Sequence, residues 1–199
     1  GLAFTFEQFK LPVNAHGMYQ QLMSFINSSA KDYVKFTKFI DTSDLSLFPI
    51  LDISVKNYRQ LMFETRITEF DFHNYVFARQ IHLLFSLGNP DMAAELAMYY
   101  IPKMMLQMQN HLLPDDPDSE TEKITMNVEE NVNDSGTEAL IRLFPKRRRQ
   151  WSDNDIRNLL FIRSWGYCAA SCVVEECEMG GMSLNETHNL HALFRLVGD

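Results

Sequence analysis

The chain has 199 residues, of which 46% are hydrophobic, and a formal net charge of −8 at pH 7. This length and apolar content can bury a sizeable core, whereas the acidic balance argues against a nucleic-acid-binding protein, which would need clustered positive charge on one face. Three widely spaced cysteines indicate reduced thiols in the cytosol rather than a disulfide framework.

Membrane-spanning and secretory segments are not evident in the sequence. No stretch approaches the ~20 consecutive apolar residues of a spanning helix, because charged residues interrupt every apolar run. Apolar residues lie directly at the start ("GLAF") and close to the end ("HALFRLV"). We therefore expect a cytoplasmic segment cut from a longer protein.

Helical periodicity dominates the first third of the chain. Residues 1–9 form a short apolar segment that ends before Pro12, since proline fits a helix interior poorly. A helix is predicted next from apolar residues at helical spacing, namely Met18, Leu22, Phe25 and Ile26. Further helical turns are predicted over residues 30–40, and a loop held to the core by apolar side chains over 41–51. Residues 53–65 suit either a helix or extended chain.

The most aromatic stretch, residues 66–85, reads "RITEFDFHNYVFARQIHLLF". Thr68 followed by Asp71 indicates a helix start, and the helix runs to about Leu87. At helical spacing its apolar side chains fall on two sides, with Phe70, Phe77, Ile81 and Leu84 on one and Phe72, Val76 and Leu83 on the other. A helix apolar on two sides is enclosed between neighbours, so we interpret this stretch as packing. His73 has no second ligand on its face, which favours packing over metal binding.

The tripeptide "GNP" turns the chain into a second long helix, with Gly88 past one helix end and Pro90 at the first position of the next. This helix is predicted to run from about residue 91 towards 113 and to be kinked at Pro102. Its apolar stripe is Ala94, Ala97, Ile101, Met104, Met105, Met108 and Leu112. Methionine serves both cores and adaptable interaction surfaces, and we favour the core.

The composition changes abruptly at 114–138, which holds nine acidic residues and one lysine. Such a segment cannot bury enough surface to offset the entropy of ordering, so we predict a mobile acidic insertion. Ser152 with Asp155 then indicates the start of a long helix that ends near Glu178. A final helix is predicted after the turn "MGGMS".

The only arrangement near a metal-site spacing combines Cys168 and Cys172 with His188 and His191. The two histidines are closer than zinc sites usually have them, and small apolar residues surround the thiols. We therefore favour cysteines packed in the core. Motifs of nucleophilic, zinc-protease and nucleotide-binding enzymes are absent from the sequence, so we expect neither catalysis nor a cofactor.

One concentrated positive feature stands out, the run Lys146, Arg147, Arg148 and Arg149. A solvated charge run is the default interpretation. The alternatives are contact with an acidic partner, contact with the chain's own acidic insertion, or contact with anionic lipid headgroups. Near a charged lipid surface each cation contributes about 1 kcal/mol.

Together these patterns predict an all-α protein of antiparallel helical hairpins forming an irregular α-solenoid. We predict one solenoid segment over residues 1–199, interrupted by the acidic insertion. No exact internal repeat supports a tetratricopeptide-type consensus.

Two segments resemble the large subunit of TRAPP complex II, the subunit numbered ten: the opening "GLAFTFE" and the helix "EFDFHNYVFARQIHLLF". The helix carries the more specific pattern, an acidic-aromatic start followed by Tyr75, Phe77, Arg79, Gln80, Leu83, Leu84 and Phe85. The later "LLFIRSWGYCAASCVVEECE" is similar in placement and character to the next long helix of that family. Pro12 and the acidic insertion depart from the family pattern.

The resemblance implies a piece of the middle α-solenoid region of a non-catalytic subunit. The complex it implies is a multisubunit membrane tether and Rab guanine-nucleotide exchange factor at the late Golgi, in which small core subunits perform exchange. The implied partners are other TRAPP subunits, with a Rab GTPase reached indirectly, and the implied location is cytoplasmic and peripheral on Golgi membranes. The alternatives are a peripheral membrane-contact module or a generic helical-repeat interaction module.

Overall fold

The computed structural model describes residues 1–27, 36–43, 45–113 and 152–180. Six helices lie in these residues: α1 (Leu2–Gln8), α2 (Pro12–Asn27), α3 (Tyr58–Phe63), α4 (Glu69–Ser86), α5 (Pro90–Leu112) and α6 (Asp153–Met179). The same residues contain no β-strand, which confirms the predicted all-α class for the part of the chain that is described. The acidic insertion and the predicted final helix lie outside the described residues.

Side-chain caps begin α4 and α6, as the sequence predicts. Thr68 Oγ1 accepts a hydrogen bond from the backbone N–H of Asp71 at 3.0 Å. At the start of α6, Ser152 Oγ accepts from the Asp155 N–H at 3.2 Å, and Asp155 Oδ2 accepts from the Ser152 N–H at 3.0 Å. These bonds satisfy donors that have no partner within the helix, and both predicted starts are confirmed.

The region before α4 bears on three predictions. The first apolar segment ends before Pro12 as predicted, and Pro12 opens α2, because the first position of a helix needs no N–H donor; the turn before it places Lys10 at a φ of 55°. Residues 36–40 are not helical, so the turns predicted there are wrong. The open question over 53–65 resolves into the short helix α3.

Helix α4 is the central element of the fold. One side of it belongs to a core cluster shared with α5 and α6, and this side contributes Phe70, Phe77, Ala78, Ile81 and Leu84. The other side belongs to a second cluster shared with α2 and α3, and this side contributes Tyr75, Val76 and Leu83. The prediction of a helix enclosed on two sides is confirmed.

Helices α5 and α6 pack closely along the first cluster. The predicted stripe of α5 is buried throughout, so the core interpretation of its methionines is confirmed. Gly166 allows the close approach, because a Cβ atom there would lie 2.4 Å from Met105 Sδ. Asn158 Nδ2 donates a hydrogen bond to the Leu112 carbonyl at 2.8 Å, which satisfies a carbonyl left open at the end of α5.

The loop before α3 is only partly tied to this core. Ile50 and Leu51 are buried in the first cluster, whereas Leu47 and Phe48 remain 45% and 37% exposed. Leu45 also packs against this cluster, so the expectation that the loop is held by its apolar side chains is correct for Leu45, Ile50 and Leu51.

Candidate interaction surfaces

His73 lies inside the fold rather than at an open site. Its side chain is 3% exposed, its Nε2 is 3.8 Å from Glu69 Oε1, and its ring meets the ring of Phe72 edge-on. Among the described residues, no group of three or more His, Cys, Asp or Glu could hold a metal ion. Glu69 lies one helical turn before His73 on the same face, so the expectation that no possible second ligand lies there is wrong. The burial of His73 nevertheless supports the packing interpretation.

A buried ion pair joins α1 to α4. Arg79 Nη2 lies 2.5 Å from Glu7 Oε2, with the two side chains 16% and 14% exposed. Two cations lie near the Phe4 ring, with Arg59 Cζ 3.7 Å and Arg79 Cζ 5.9 Å from its centre. The ion pair and the Arg79 contact therefore link α1 to α4, and the Arg59 contact links α1 to α3.

The electrostatics of this pair involve two neighbouring tyrosines. Burial, followed by the charge of Tyr75 and a hydrogen bond with Glu7, raises the pKa of Tyr19 far above its ordinary value, so its hydroxyl stays neutral. Burial lowers the pKa of Arg79. A hydrogen bond with Tyr19 and the charges of Tyr75 and Glu7 raise it by more, so the pKa of Arg79 lies above its ordinary value. Arg79 thus remains a cation at every physiological pH.

The cysteines of α6 face the protein interior to different degrees. Cys177 is fully buried, whereas Cys168 and Cys172 are half-buried. Burial is the main cause that raises the pKa of the Cys172 thiol. A raised pKa reduces the thiolate that metals and electrophiles need, which supports the packing interpretation. His188 and His191 lie outside the described residues.

The stability of the fold is expected to fall between about pH 9 and pH 11 because of Cys177. Burial, then the charges of Asp91, Glu176 and Glu178, raise the pKa of this thiol to about 11. In that window the unfolded chain loses the thiol proton while the folded chain keeps it, so alkali favours unfolding. We expect urea midpoints to fall less steeply with pH in Cys177→Ala than in the parent. Parallel pH profiles of the two proteins would show that this thiol is not responsible.

The basic run Lys146, Arg147, Arg148 and Arg149 lies outside the described residues. Its contact with a partner or a membrane therefore stays a prediction from the sequence. None of the helices in the described residues combines the length and the apolar content needed to cross a membrane.

Two exposed apolar surfaces are candidates for contact with other molecules. The α6 outer stripe consists of Ile156, Leu160 and Tyr167, which are 46%, 58% and 48% exposed. Their spacing of four and seven residues places them on one side of the helix. The second surface is the turn between α1 and α2, where Phe9 and Val13 are 71% and 68% exposed. Neighbouring apolar groups of this kind, when they form a continuous patch, are a feature of protein interfaces.

The sequence carries a signal for only one of these features. The α6 outer stripe could be found from its helical spacing opposite the buried face. The pairing of Glu7 with Arg79 has no local signal, because 72 residues separate them and only the packing of α1 on the rest of the fold brings them together.

The described residues thus define an all-helical protein with a two-sided central helix and exposed apolar surfaces. The chain is similar to trafficking protein particle complex subunit 10 of Dictyostelium discoideum, with 34% identity over 119 residues. This match confirms the resemblance predicted from the short segments of sequence. It covers 56% of this chain and 8% of the relative, so the chain spans a small part of the relative's length. No family model and no solved structure matches the chain.

Proposed function

We propose that the chain is a non-catalytic scaffold segment of a multisubunit membrane-tethering and Rab exchange complex in Golgi vesicle traffic. The observation that carries this proposal is the match to a trafficking protein particle complex subunit. The helical fold, in which one helix contributes to two cores, is consistent with a framework role.

The geometry suits an irregular α-solenoid. In such an array each helical unit buries its apolar faces against its neighbours, and inner helices are covered on two sides. Helix α4 has this character, since α2 and α3 cover one side and α5 and α6 cover the other. The α6 outer stripe then offers apolar surface to a further unit or to a partner.

The proposed partners are the other subunits of the complex, with a Rab GTPase engaged indirectly through them. The proposed location is cytoplasmic and peripheral on Golgi membranes. A scaffold of this kind needs apolar contact surface and a rigid frame, and it needs no catalytic residue.

The proposal is tested by co-migration of the chain with the small-subunit core of the complex, and separately with the other large subunit, in size exclusion with light scattering. Stoichiometric co-elution supports an interface in this segment. The matched variant Leu160→Glu places a charge on the α6 outer stripe and tests whether that surface is used. A folded, helical chain that elutes alone in both experiments contradicts an interface in this segment.

The second candidate function is peripheral membrane contact, favoured by the four consecutive cations Lys146, Arg147, Arg148 and Arg149. We expect binding to vesicles containing anionic phosphatidylserine to fall steeply as the salt concentration rises, because the Debye length shortens from about 10 Å at 0.1 M to about 3 Å at 1 M. Replacing the four residues by Ala should abolish binding. Binding that persists in 1 M salt would contradict contact through this run.

A further inference from the structure

The outer face of α2 carries no charge, which distinguishes this helix from the other exposed helices. No Asp, Glu, Lys or Arg occurs in α2, although these types make up 22% of the chain. The exposed positions of α5 and α6, by contrast, include Asp91, Glu95, Arg157 and Glu175. Helical spacing places six residues of α2 on its outer side. We name this surface the amide face, and it consists of Val13, Asn14, Gly17, Gln20, Gln21 and Ser24.

A lack of charge on an exposed helix is a feature of contact surfaces. Charged residues are depleted in the centres of protein interfaces, whereas helices that face only solvent usually carry them. The histidine of α2, His16, is buried, and burial lowers the pKa of its imidazole, so it adds no charge at neutral pH. The amide face is therefore polar but uncharged.

Gly17 lies in the middle of the amide face, and the described fold gives no reason for a glycine there. Glycine inside a helix is less stable than alanine by about 0.5–1 kcal/mol. Gly17 is not among the glycines with a positive φ. A Cβ atom at this position would meet no side chain and no other helix within 4 Å in the part of the chain that the structure describes. Close approach of a helix from another molecule would account for the missing side chain.

The chemistry of the amide face suits a second copy of the same face. The chain has a net charge of −8, so two copies repel each other, and they come together most easily through a surface that bears no like charges. An Asn or Gln amide carries both donors and an acceptor, so it can pair with an amide of another copy.

The positions of the amides indicate how the two copies meet. Asn14 and Gln20 each lie three residues from Gly17. In a two-fold symmetric contact, residue i of one copy meets residue j of the other, and j meets i. If two antiparallel α2 helices cross at Gly17, Asn14 of each copy lies at the same height as Gln20 of the other, within reach of its longer side chain.

We propose that two copies of the chain associate through the amide face, with their α2 helices antiparallel and crossing at Gly17. Asn14 of each copy pairs with Gln20 of the other, and the bare Gly17 lets the two backbones come close. Self-association of this kind goes beyond the scaffold function and does not depend on it.

The size of the face limits the affinity. Helix α2 has 16 residues and is therefore about 24 Å long. One face of such a helix buries less than the ~800 Å² that each partner contributes to an interface of standard size. We therefore expect a weak dimer that forms at tens of micromolar or above.

Sedimentation equilibrium of the whole chain, over concentrations from about 5 to about 200 µM, measures the association. We expect the average mass to rise from the 23.2 kDa of one chain towards that of two. Gly17→Leu should raise the dissociation constant about tenfold or more, because the added side chain keeps the helices apart. The control Asn110→Leu adds the same side chain at an exposed position of α5 and should leave the dissociation constant unchanged.

Gly17→Ala separates a contact role from a role in the fold. Alanine favours the helix, so Tm measured on the dilute, monomeric chain should rise. The dimer should become weaker in the same variant, because its methyl group lies between the two backbones. A glycine needed for the fold of one chain would give a lower Tm instead.

Cysteine pairing tests the antiparallel crossing. Under mild oxidation, a mixture of the Asn14→Cys and Gln20→Cys chains should form disulfide-linked dimers about fivefold faster than either variant alone, because only the mixed pair lies at the same height. The parent chain, which keeps Cys168, Cys172 and Cys177, gives the background rate.

Three results would overturn the proposal. A mass that stays at 23.2 kDa at every concentration would exclude a second copy on this face. A dimer unchanged in Gly17→Leu would place the contact on another surface. Equal rates of disulfide formation in the mixed and single samples would exclude the crossing at Gly17. The scaffold function is judged separately by co-elution with the other subunits.

Discussion

Phe77→Ala is expected to lower the free energy of unfolding by about 3–5 kcal/mol. The ring is 1% exposed and stacks on the ring of Tyr100, with the two centres 4.2 Å apart. The Tyr100 hydroxyl donates a hydrogen bond to Asn74 Oδ1 at 2.9 Å, so Tyr100 is anchored and cannot fill the cavity. Urea unfolding followed by far-UV circular dichroism measures the change.

The matched control is Phe63→Ala. Phe63 is 86% exposed at the end of α3, so its removal leaves no cavity. We expect the free energy of unfolding to change by no more than about 0.5 kcal/mol. Similar losses in the two variants would mean that Phe77 does not occupy the core position described here.

Arg79→Leu is expected to lower the free energy of unfolding by about 2–4 kcal/mol, because it leaves the Glu7 carboxylate in a largely buried position without its cation. Adding Glu7→Leu should recover about half of the loss, since the double variant contains no stranded charge. A double-mutant cycle from urea unfolding gives the coupling between the two residues.

The surface pair of Arg66 and Glu64 serves as the control for this cycle. Its atoms are 3.1 Å apart, but the side chains are 72% and 34% exposed. Arg66→Leu should therefore change the free energy of unfolding by no more than about 1 kcal/mol. A coupling of Glu7 with Arg79 as small as this would contradict a buried pair that holds α1 in place.

Short-range sequence signals made helices α4, α5 and α6 predictable. The caps at Thr68 and Ser152, the turn at Gly88 and the two-sided pattern of α4 all depend on residues within a few positions of one another. For these elements the sequence predicts the start, the buried faces and the approximate end. The structure adds what covers each face.

Long-range packing accounts for what the sequence did not predict. Residues 36–40 have the apolar spacing of a helix. Backbone N–H groups at the start of α4 donate hydrogen bonds to the carbonyls of Lys38 and Phe39, however, and these bonds hold the segment in a non-helical conformation. The pairing of Glu7 with Arg79 likewise depends on distant segments of the chain, since 72 residues separate the two side chains. Features of this kind depend on how segments far apart in the sequence pack together, so no short stretch of sequence predicts them.

We infer that α4 joins the first and second core clusters, the two layers of the fold, into one rigid framework, and native-state hydrogen exchange tests this most directly. The amides of Tyr19 in α2, Phe77 in α4 and Ile101 in α5 report on the two layers and on the helix between them. We predict that all three exchange with one free energy of opening, equal to that of global unfolding measured with urea. Exchange at Tyr19 with a much lower free energy than at Phe77 and Ile101 would show that the layers open independently, and would contradict the framework.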